Sequence, residues 1–256
     1  MHDSQRPGLD PNTGESSPFT PGADRAGYVR NMFASIAPRY DLMNTLMTGG
    51  RHHAWRRLAA RSIVLPCDRV VDVGCGTGDL SFACAEAGAS TVIGVDFAVP
   101  MVERAREKAY ENSVDSNAAA VSFAVADATE LPLADGVVDA WCSAFVVRNI
   151  PDVDAALAEA FRVLRPAGRL AILDMPRMDR GLLAMAVRLY MRGIVPAVGR
   201  AVSKHRDAYS YLPESVGHFL STQELTAALR RAGFHVTEVR LLAFGTVALH
   251  LAERSR

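Results

Sequence analysis

Short apolar runs alternate with longer amphipathic segments along most of the chain after residue 70. The short runs have the length of buried strands, and the longer segments repeat apolar residues at helical spacing. This alternation predicts an α/β fold, a doubly wound and mostly parallel seven-stranded sheet with an antiparallel C-terminal hairpin within 235–254 and extra N-terminal helices. The five other strands are predicted at VVDV (70–73), TVIGVD (91–96), VSFAVAD (121–127), VVDAWCSAF (137–145) and RLAILDM (169–175).

Two helices between and after these strands carry clear boundary signals. The segment 152–168 has Asp152 as its predicted N-cap and Pro166–Gly168 as its predicted stop. In a later helix, Ser221 is followed three residues on by Glu224, which is the pattern of a capping box. The apolar stripe of the first of these helices consists of Val153, Leu157, Phe161 and Leu164.

The two ends of the domain are set by composition. Residues 1–24 are rich in Pro, Gly, Ser and Asp and cannot bury enough apolar surface to offset chain entropy, so we predict a disordered tail. Residues 25–256 are predicted to form one domain.

The apolar segment 181–202 contains Arg188 and Arg192, which a membrane-spanning helix would tolerate poorly. We interpret it either as a lid over a substrate site or as an ordinary core helix.

Charge and cysteine content exclude some functions. The 28 basic residues balance the 28 acidic residues, which argues against a general nucleic-acid binder. The cysteines form no CxxC pair and lie far apart in the sequence, so we predict neither a metal site nor a disulfide framework, and we expect a reducing cytosol. These cysteines are Cys67, Cys75, Cys84 and Cys142.

The first strand runs directly into a turn with three glycines, VVDVGCGTGD. The turn lacks the lysine of a phosphate-binding loop, and its third glycine comes one place too early for a dinucleotide fingerprint. Asp72, two places before the first glycine, suits a ligand that carries an ammonium group. S-adenosylmethionine fits, because N–H groups of the turn and of the following helix can meet its carboxylate. The turn residues assigned to this cofactor are Gly74, Gly76, Thr77 and Gly78.

Two further carboxylates stand at the ends of the next two predicted strands. Asp96 ends the second strand, about 20 residues after the turn, where a carboxylate can accept from both ribose hydroxyls. Asp127 ends the third strand and can accept from the adenine amino group, while the Ala128 N–H donates to a ring nitrogen. Met101 is placed to pack on the adenine face. The alternative is that these aspartates are caps and turn formers.

Four segments outside the cofactor motif resemble those of a known family, with the patterns YDxMN…GxHRxW, FGLRN, YxYLPES and VALHxG. They are YDLMNTLMTGGRHHAWRR (40–57), AFVVRNIPD (144–152), AYSYLPESVGHF (208–219) and TVALHLAER (246–254). The chain is thus similar to the class I S-adenosylmethionine-dependent methyltransferases, and most to the branch that C-methylates quinol precursors in menaquinone and ubiquinone synthesis. The resemblance covers about residues 28–253. It implies a Rossmann-like fold and a demethylated prenyl quinol, such as demethylmenaquinol, as methyl acceptor.

Some positions depart from the family pattern. Val146 stands where the family has glycine, Ala144 where it often has serine, and His53 where it has arginine. The segment 173–177, LDMPR, replaces LEFSKP, and Phe244 occupies the glycine-rich approach to the last strand. These changes lie near the expected substrate pocket and allow a different acceptor.

Catalytic candidates follow from the chemistry of methyl transfer to an aromatic carbon. The ring carbon becomes a good nucleophile when its neighbouring hydroxyl, with a pKa of about 10, is ionised. Arg148 could stabilise that phenolate, Asn149 could orient a substrate oxygen and Tyr40 could hydrogen-bond the other hydroxyl. For Arg148 the alternative is a surface ion pair with Asp152, and for Tyr40 a packing role. The histidines His52, His205, His218 and His250 are interpreted as structural.

The sequence therefore predicts a methyltransferase that acts on a quinol met at the membrane surface. We expect it in the cytoplasm, peripheral at the inner face of the membrane and without a transmembrane segment, and we leave a homodimer open. Three alternatives are a methyltransferase for another small aromatic or polyketide-like acceptor, a nucleic-acid methyltransferase, and a catalytically silent cofactor-binding partner. Neutral charge and the absence of an NPPY-like motif disfavour nucleic acid.

Overall fold

The computed structural model describes residues 19, 24–112, 119–178, 185, 189, 193 and 207–256. The strands of the described chain are β1 (Arg69–Val73), β2 (Thr91–Asp96), β3 (Ala120–Val125), β4 (Val138–Ala144), β5 (Leu164–Asp174), β6 (Phe234–Leu242) and β7 (Val247–Arg254). The helices are α1 (Arg25–Ile36), α2 (Tyr40–Thr48), α3 (Arg51–Ile63), α4 (Asp79–Glu86), α5 (Val99–Asn112), α6 (Val153–Val163), α7 (Asp207–His218) and α8 (Thr222–Arg231).

The seven strands form one sheet in the order β3-β2-β1-β4-β5-β7-β6. Strands β1 to β5 are parallel, whereas β7 runs antiparallel to both β5 and β6. The predicted doubly wound sheet and C-terminal hairpin are confirmed. The strand order reverses between β1 and β4, and in such sheets the crevice at the carboxyl ends beside this reversal is where ligands bind.

Apolar clusters cover both faces of the sheet. On one face Trp141 and Leu170 pack with Leu157 of α6 and Leu229 of α8. On the other face α3 and α4 cover the sheet, with Ala60, Leu80 and their neighbours packed on β1, β4 and β5. Because strands buried on both faces need apolar residues throughout, β4 reads as a nearly continuous apolar run. This two-sided burial fixes the positions of the β1 and β4 ends, where the candidate site lies.

The observed bounds of some helices and strands differ from the predicted ones. Helix α6 ends at Val163 and β5 begins at Leu164, so the predicted helical stop at Pro166–Gly168 lies inside the strand. The register shows why: Val138 of β4 pairs with Leu164 and Ala140 with Arg169, so the intervening residues of β5 bulge out. Helical periodicity does not reveal such a bulge, because Leu164 continues the apolar stripe of the helix and is buried at the start of the strand.

The predicted end of the third strand also moves. Strand β3 ends at Val125, and Asp127 lies two residues later in a turn that bridges to Glu130. Of the predicted caps, the Asp152 side chain accepts from the Ala155 N–H, and Ser221 and Glu224 form the expected capping box.

Two residues of the predicted tail contact the domain. Phe19 stacks on Tyr211 and His218, with ring centroids 5.7 and 4.3 Å apart, and the Asp24 side chain caps α1 by accepting from the Gly27 N–H. The other residues of 1–24 lie outside the described part of the chain. Phe19 and Asp24 therefore anchor the start of the domain.

We expect the removal of residues 1–18 and the removal of residues 1–24 to have different effects on the melting temperature. Removal of residues 1–18 should leave the melting temperature unchanged, because that composition offers few core contacts. Removal of 1–24 deletes the α1 cap and the Phe19 packing, a cost of about 2 kcal/mol that lowers the melting temperature by roughly 4–8 °C. Differential scanning calorimetry of both truncations tests this, and equal melting temperatures would count against the Phe19 and Asp24 contacts.

Of the apolar segment predicted at 181–202, the structure describes Met185, Leu189 and Gly193 as helical; the rest lies outside the described residues. The side chains of Met185 and Leu189 are 59% and 75% exposed. No helix among the described residues is long and apolar enough to cross a bilayer.

Candidate cofactor and active site

The glycine turn after β1 has a backbone that other residues adopt only with strain. Gly74, Gly76 and Gly78 have φ values of +70°, +55° and +91°, in the left-handed region that glycine enters without steric cost. Space is also limited, because a Cβ on Gly74 would lie 2.3 Å from the Val146 side chain. A Cβ on Gly78 would lie 2.9 Å from Phe82 and from Phe123. Gly74 and Gly78 are thus required for both conformation and close approach, and Gly76 for conformation alone.

A methyl group on Gly74 should therefore disrupt the turn, and Val146 is the residue it meets. Gly74→Ala is expected to cost about 2–4 kcal/mol of stability, from overpacking and left-handed strain together. In Gly74→Ala/Val146→Gly all three clashing atoms of Val146 are removed, including its Cβ at 2.8 Å, and mainly the strain, about 1 kcal/mol, should remain. Urea unfolding of both variants measures the difference. An equal loss in the single and double variants would show that Val146 does not limit the turn.

Asp72 is buried in β1, directly below the turn. Its Oδ2 accepts from the Ser81 hydroxyl at 2.6 Å, whereas Oδ1 has no partner among the described residues. Burial raises the pKa of Asp72 to about 7. An unpartnered buried carboxylate oxygen beside a cavity is chemically suited to receive an ammonium group.

Asp96, at the end of β2, holds the turn from the other side. Its Oδ2 accepts from the Gly76 N–H at 2.9 Å and its Oδ1 from the Ala98 N–H at 2.9 Å. Burial raises the pKa of Asp96 as well, although the two N–H groups act in the opposite direction. Asp96 therefore ends β2, as predicted, and its hydrogen bond with Gly76 also fixes the shape of the turn.

A cavity opens between this turn, α2 and α3. Its lining includes the predicted residues Tyr40, Asp72, Gly74, Gly76 and Thr77. It also includes residues that sequence reasoning did not assign to the cofactor: Arg56, Cys75, Asp79, Leu80 and Ala144. The structure thus brings two acidic residues, the glycine turn and an aromatic side chain to the carboxyl end of β1.

The residues predicted around the adenine are not among those that line this cavity. Asp127 is exposed, and its Oδ1 accepts from the Thr129 N–H and hydroxyl at 2.8 and 2.7 Å, which is a turn-forming arrangement. Ala128 packs on the core, and Met101 is buried with Ala98 beneath Tyr40. Among these three predicted residues, Met101 is the one that packs against a residue of the cavity wall.

Arg148 and Asn149 follow β4 and are both buried. Arg148 Nη1 donates to Asp174 Oδ1 at 2.6 Å, and the Arg148 backbone N–H donates to Asp174 Oδ2 at 3.1 Å. The alternative of a surface ion pair with Asp152 is wrong, because Asp152 caps α6 and Arg148 is only 8% exposed. The Arg148 Nε and the Asn149 Oδ1 have no partner among the described residues.

A charged cluster beside the turn was not predicted. Lys108 donates to Asp79 Oδ1 at 2.7 Å and to Asp41 Oδ2 at 3.1 Å, which ties α5 to α4 and α2. Thr77 donates to Asp41 Oδ1 at 2.5 Å. His52 and Arg56 of α3 complete the cluster, since each lies 3.9 Å from Asp79 Oδ2. Their i,i+4 spacing is visible in the sequence, whereas the other members meet through packing.

The same cluster contains a group of potential metal ligands, which the sequence analysis did not expect. Ligand atoms of His52, His53 and Asp79 lie within 4.8 Å of one another. Lys108 and Arg56 also face Asp79, and their positive charges oppose a cation there. The geometry therefore favours an anion next to Arg56 more than a metal ion.

Several of the cysteines and histidines considered in the sequence make packing or core contacts. Cys84 and Cys142, 58 residues apart in the sequence, have their Sγ atoms 3.7 Å apart in the core, and both are free thiols. The ring of His250 is buried, with Nε2 facing the Thr222 carbonyl at 3.1 Å, and burial lowers its pKa. His218 stacks on Phe19, and His205 lies outside the described residues.

Strand β7 is inserted antiparallel between β5 and β6, a glycine turn follows β1, and a carboxylate ends β2. This combination defines a class I methyltransferase fold. A SAM-dependent methyltransferase from Thermotoga maritima has a similar structure, with a TM-score of 0.58 and 20% identity, covering 88% of this chain and 99% of that one. The chain belongs to the ubiE/COQ5 methyltransferase family, whose model matches residues 22–254.

Curated relatives are similar over most of their length. Demethylmenaquinone methyltransferase of Thermus thermophilus is 41% identical over 225 residues, which is 87% of this chain and 100% of that protein. Ubiquinone/menaquinone biosynthesis C-methyltransferase UbiE of Dinoroseobacter shibae is 36% identical, over 89% of this chain and 90% of that protein. The family and the fold imply that the cofactor is S-adenosylmethionine.

The raised pKa of Asp72 gives the site an expected pH dependence. Below about pH 7 the carboxyl group is mostly protonated, and a ligand ammonium group binds the ionised form better. Cofactor affinity should therefore fall by up to about tenfold per unit as the pH decreases from 7 to 5, with proton release on binding near pH 7. Calorimetry in buffers of different ionisation enthalpy measures both quantities. Asp72→Asn should bind weakly at every pH, and a pH-independent wild-type affinity would contradict this role.

Proposed function

We propose that this protein is an S-adenosylmethionine-dependent C-methyltransferase that methylates a ring carbon of a demethylated prenyl quinol such as demethylmenaquinol. The observation that carries the proposal is the similarity to demethylmenaquinone methyltransferase over the full length of that relative, in a chain whose cavity lies at the carboxyl end of β1. Relatives named for two quinones support the acceptor class.

The residues present fit the cofactor, because the unpartnered Asp72 Oδ1 and the glycine turn offer an acceptor and N–H groups to a zwitterionic tail. We propose that Gly74, Gly76, Thr77 and Gly78 form the bed for this tail and that Asp96 accepts from the ribose hydroxyls. We propose that Asp127, Ala128 and Met101 surround the adenine. When bound, the cofactor supplies an activated methyl group on sulfur.

For the acceptor, we propose that Arg148 stabilises the ionised hydroxyl beside the reacting carbon. Its Nη1 is held by Asp174, and its buried Nε is an N–H donor without a partner among the described residues. A guanidinium fixed in this way can stabilise a phenolate without reorganising. We propose that Asn149 orients a substrate oxygen, supported by its unpartnered Oδ1, and that Tyr40, on the cavity wall, bonds the other hydroxyl.

The proposal can be tested with the purified protein, a reduced short-tailed demethylmenaquinol and S-adenosylmethionine deuterated in its methyl group. We expect a product with the label on a ring carbon, identified by mass spectrometry and NMR. Label on oxygen would identify another methyl-transfer chemistry. Cofactor binding without turnover on any quinol would favour the silent cofactor-binding alternative.

A second test uses the host. Deletion of the gene should lead to accumulation of a lipid quinone that lacks one methyl group, because the demethylated quinol is no longer consumed. An unchanged quinone pool would contradict the proposed acceptor.

We also propose that the protein works in the cytoplasm at the inner face of the membrane, where it would meet a prenylated quinol. The exposed side chains of Met185 and Leu189 support this, because apolar groups at an interface bind lipid. Co-sedimentation with vesicles should decrease in Met185→Glu/Leu189→Glu, and unchanged binding would argue against contact through this segment.

A further inference from the structure

Arg56 is a buried cation on the cavity wall. It lies on α3 and its side chain is only 7% exposed. Of the cavity-lining residues, all of which the structure describes, Arg56 is the one with a positive charge. A buried charge is costly unless a group of opposite charge accompanies it.

Its nearest carboxylate is a weak partner. Arg56 Nη1 lies 3.9 Å from Asp79 Oδ2, beyond hydrogen-bond distance, and Asp79 is the only carboxylate within 4.0 Å of it in the described chain. Asp79 is held instead by Lys108, at 2.7 Å from Oδ1. Asp79 is thus shared between Lys108 and Arg56, and it lies too far from Arg56 to accept a hydrogen bond from it.

The closest contact of Arg56 is uncharged. Arg56 Nη1 donates to His52 Nδ1 at 2.5 Å, and His52 Nε2 faces the Thr45 hydroxyl at 3.2 Å. Burial and the positive charge of Arg56 lower the pKa of His52 to about 4, so the ring is neutral near pH 7. His52 therefore orients the guanidinium without cancelling its charge, and the Phe145 ring lies 5.3 Å from Arg56 Cζ as a further support.

We propose that Arg56 is a cofactor-binding residue that pairs with the carboxylate of the amino-acid tail, while Asp72 Oδ1 takes the ammonium group of the same tail. This inference rests on the proposed cofactor. Arg56 and Asp72 line the same cavity, so a cation and an anion face a ligand that carries both charges, while the second carboxylate of the lining, Asp79, is paired with Lys108 at 2.7 Å. The pair selects a zwitterionic tail, and a ligand without the carboxylate leaves the Arg56 charge uncompensated.

The ligand offers a matched deletion for the test. S-adenosylmethionine and its decarboxylated form differ by the carboxylate alone, so the ratio of their affinities, measured by calorimetry, isolates that contact. In the wild type we expect the intact cofactor to bind about 10–100-fold more tightly, the range of one charge-assisted contact. In Arg56→Gln this ratio should approach one, mainly through loss of affinity for the intact cofactor.

Arg57→Gln is the matched control, because Arg57 is an exposed neighbour on the same helix and its loss should leave the ratio unchanged. A wild-type ratio retained in Arg56→Gln would overturn the proposal while leaving the cofactor assignment intact. If the wild type bound neither ligand, the proposed cofactor and this inference would both be wrong.

Arg56→Lys gives a second test if Arg56→Gln fails to fold. An ammonium keeps the charge but not the planar fork that His52 orients, so the ratio should decrease and stay above one. A ratio in Arg56→Lys equal to that of the wild type would also overturn the assignment of the guanidinium.

Discussion

Arg148→Met is expected to lower the free energy of unfolding by about 3–5 kcal/mol, because it leaves the buried Asp174 carboxylate without its cation. Both side chains are at least nine-tenths buried and joined at 2.6 Å. Chemical denaturation measures the loss. Arg69→Met is the matched control: Arg69 pairs with Asp139 at 3.2 Å, but its side chain is 52% exposed, so the loss should stay below about 1 kcal/mol.

Stability and catalysis can be separated by removing both partners. In Arg148→Met/Asp174→Leu no charge is stranded, and most of the lost stability should return, since apolar residues often replace a buried ion pair at little cost. If Arg148 stabilises the ionised quinol, this stable double variant should still have a kcat lower by on the order of a hundredfold. Its cofactor affinity should stay close to that of the wild type.

The kcat of the double variant is measured with a soluble, short-tailed demethylmenaquinol that is kept reduced. Partial recovery of the rate at higher pH is expected, because solvent then ionises the quinol without help from Arg148. A double variant that folds and turns over at the wild-type rate would restrict Arg148 to structural stabilisation. The activating group would then be sought at Tyr40, which lines the cavity.

Asp96→Ala is expected to weaken S-adenosylmethionine binding by about 3 kcal/mol, or roughly a hundredfold. The carboxylate is proposed to accept hydrogen bonds from two ribose hydroxyls. Its loss also leaves the Gly76 and Ala98 N–H groups, which now donate to Asp96, without their acceptor. Calorimetry gives the affinity directly, and NAD should not bind either protein. An unchanged affinity in Asp96→Ala would remove the ribose assignment.

Two further variants separate these contributions. Asp96→Asn keeps one acceptor oxygen and should lose less affinity than Asp96→Ala. Asp154→Ala is the control for a general effect of charge, because Asp154 is an exposed carboxylate on α6 paired with Arg231. It should bind the cofactor as the wild type does.

The sequence by itself determined the parts of this protein that depend on neighbours in the chain. Strand β2 (Thr91–Asp96) was predicted with its observed bounds, and the caps Asp152 and Ser221 lie where their spacing placed them. The glycine turn was also readable, because positive φ and close packing both demand glycine. Such features are local: periodicity, capping and turn chemistry act over a few residues.

Only the tertiary structure decided which distant residues meet. Asp174 partners Arg148 from 26 residues away, and Lys108 reaches Asp41 across 67. The start of β5 at Leu164 depends on its register with β4 and not on its own periodicity. The position of Arg56 on the cavity wall depends on how α3 packs against α4 and the sheet. Pairings of this kind arise from the packing of whole elements, and one sequence contains no local spacing that encodes them.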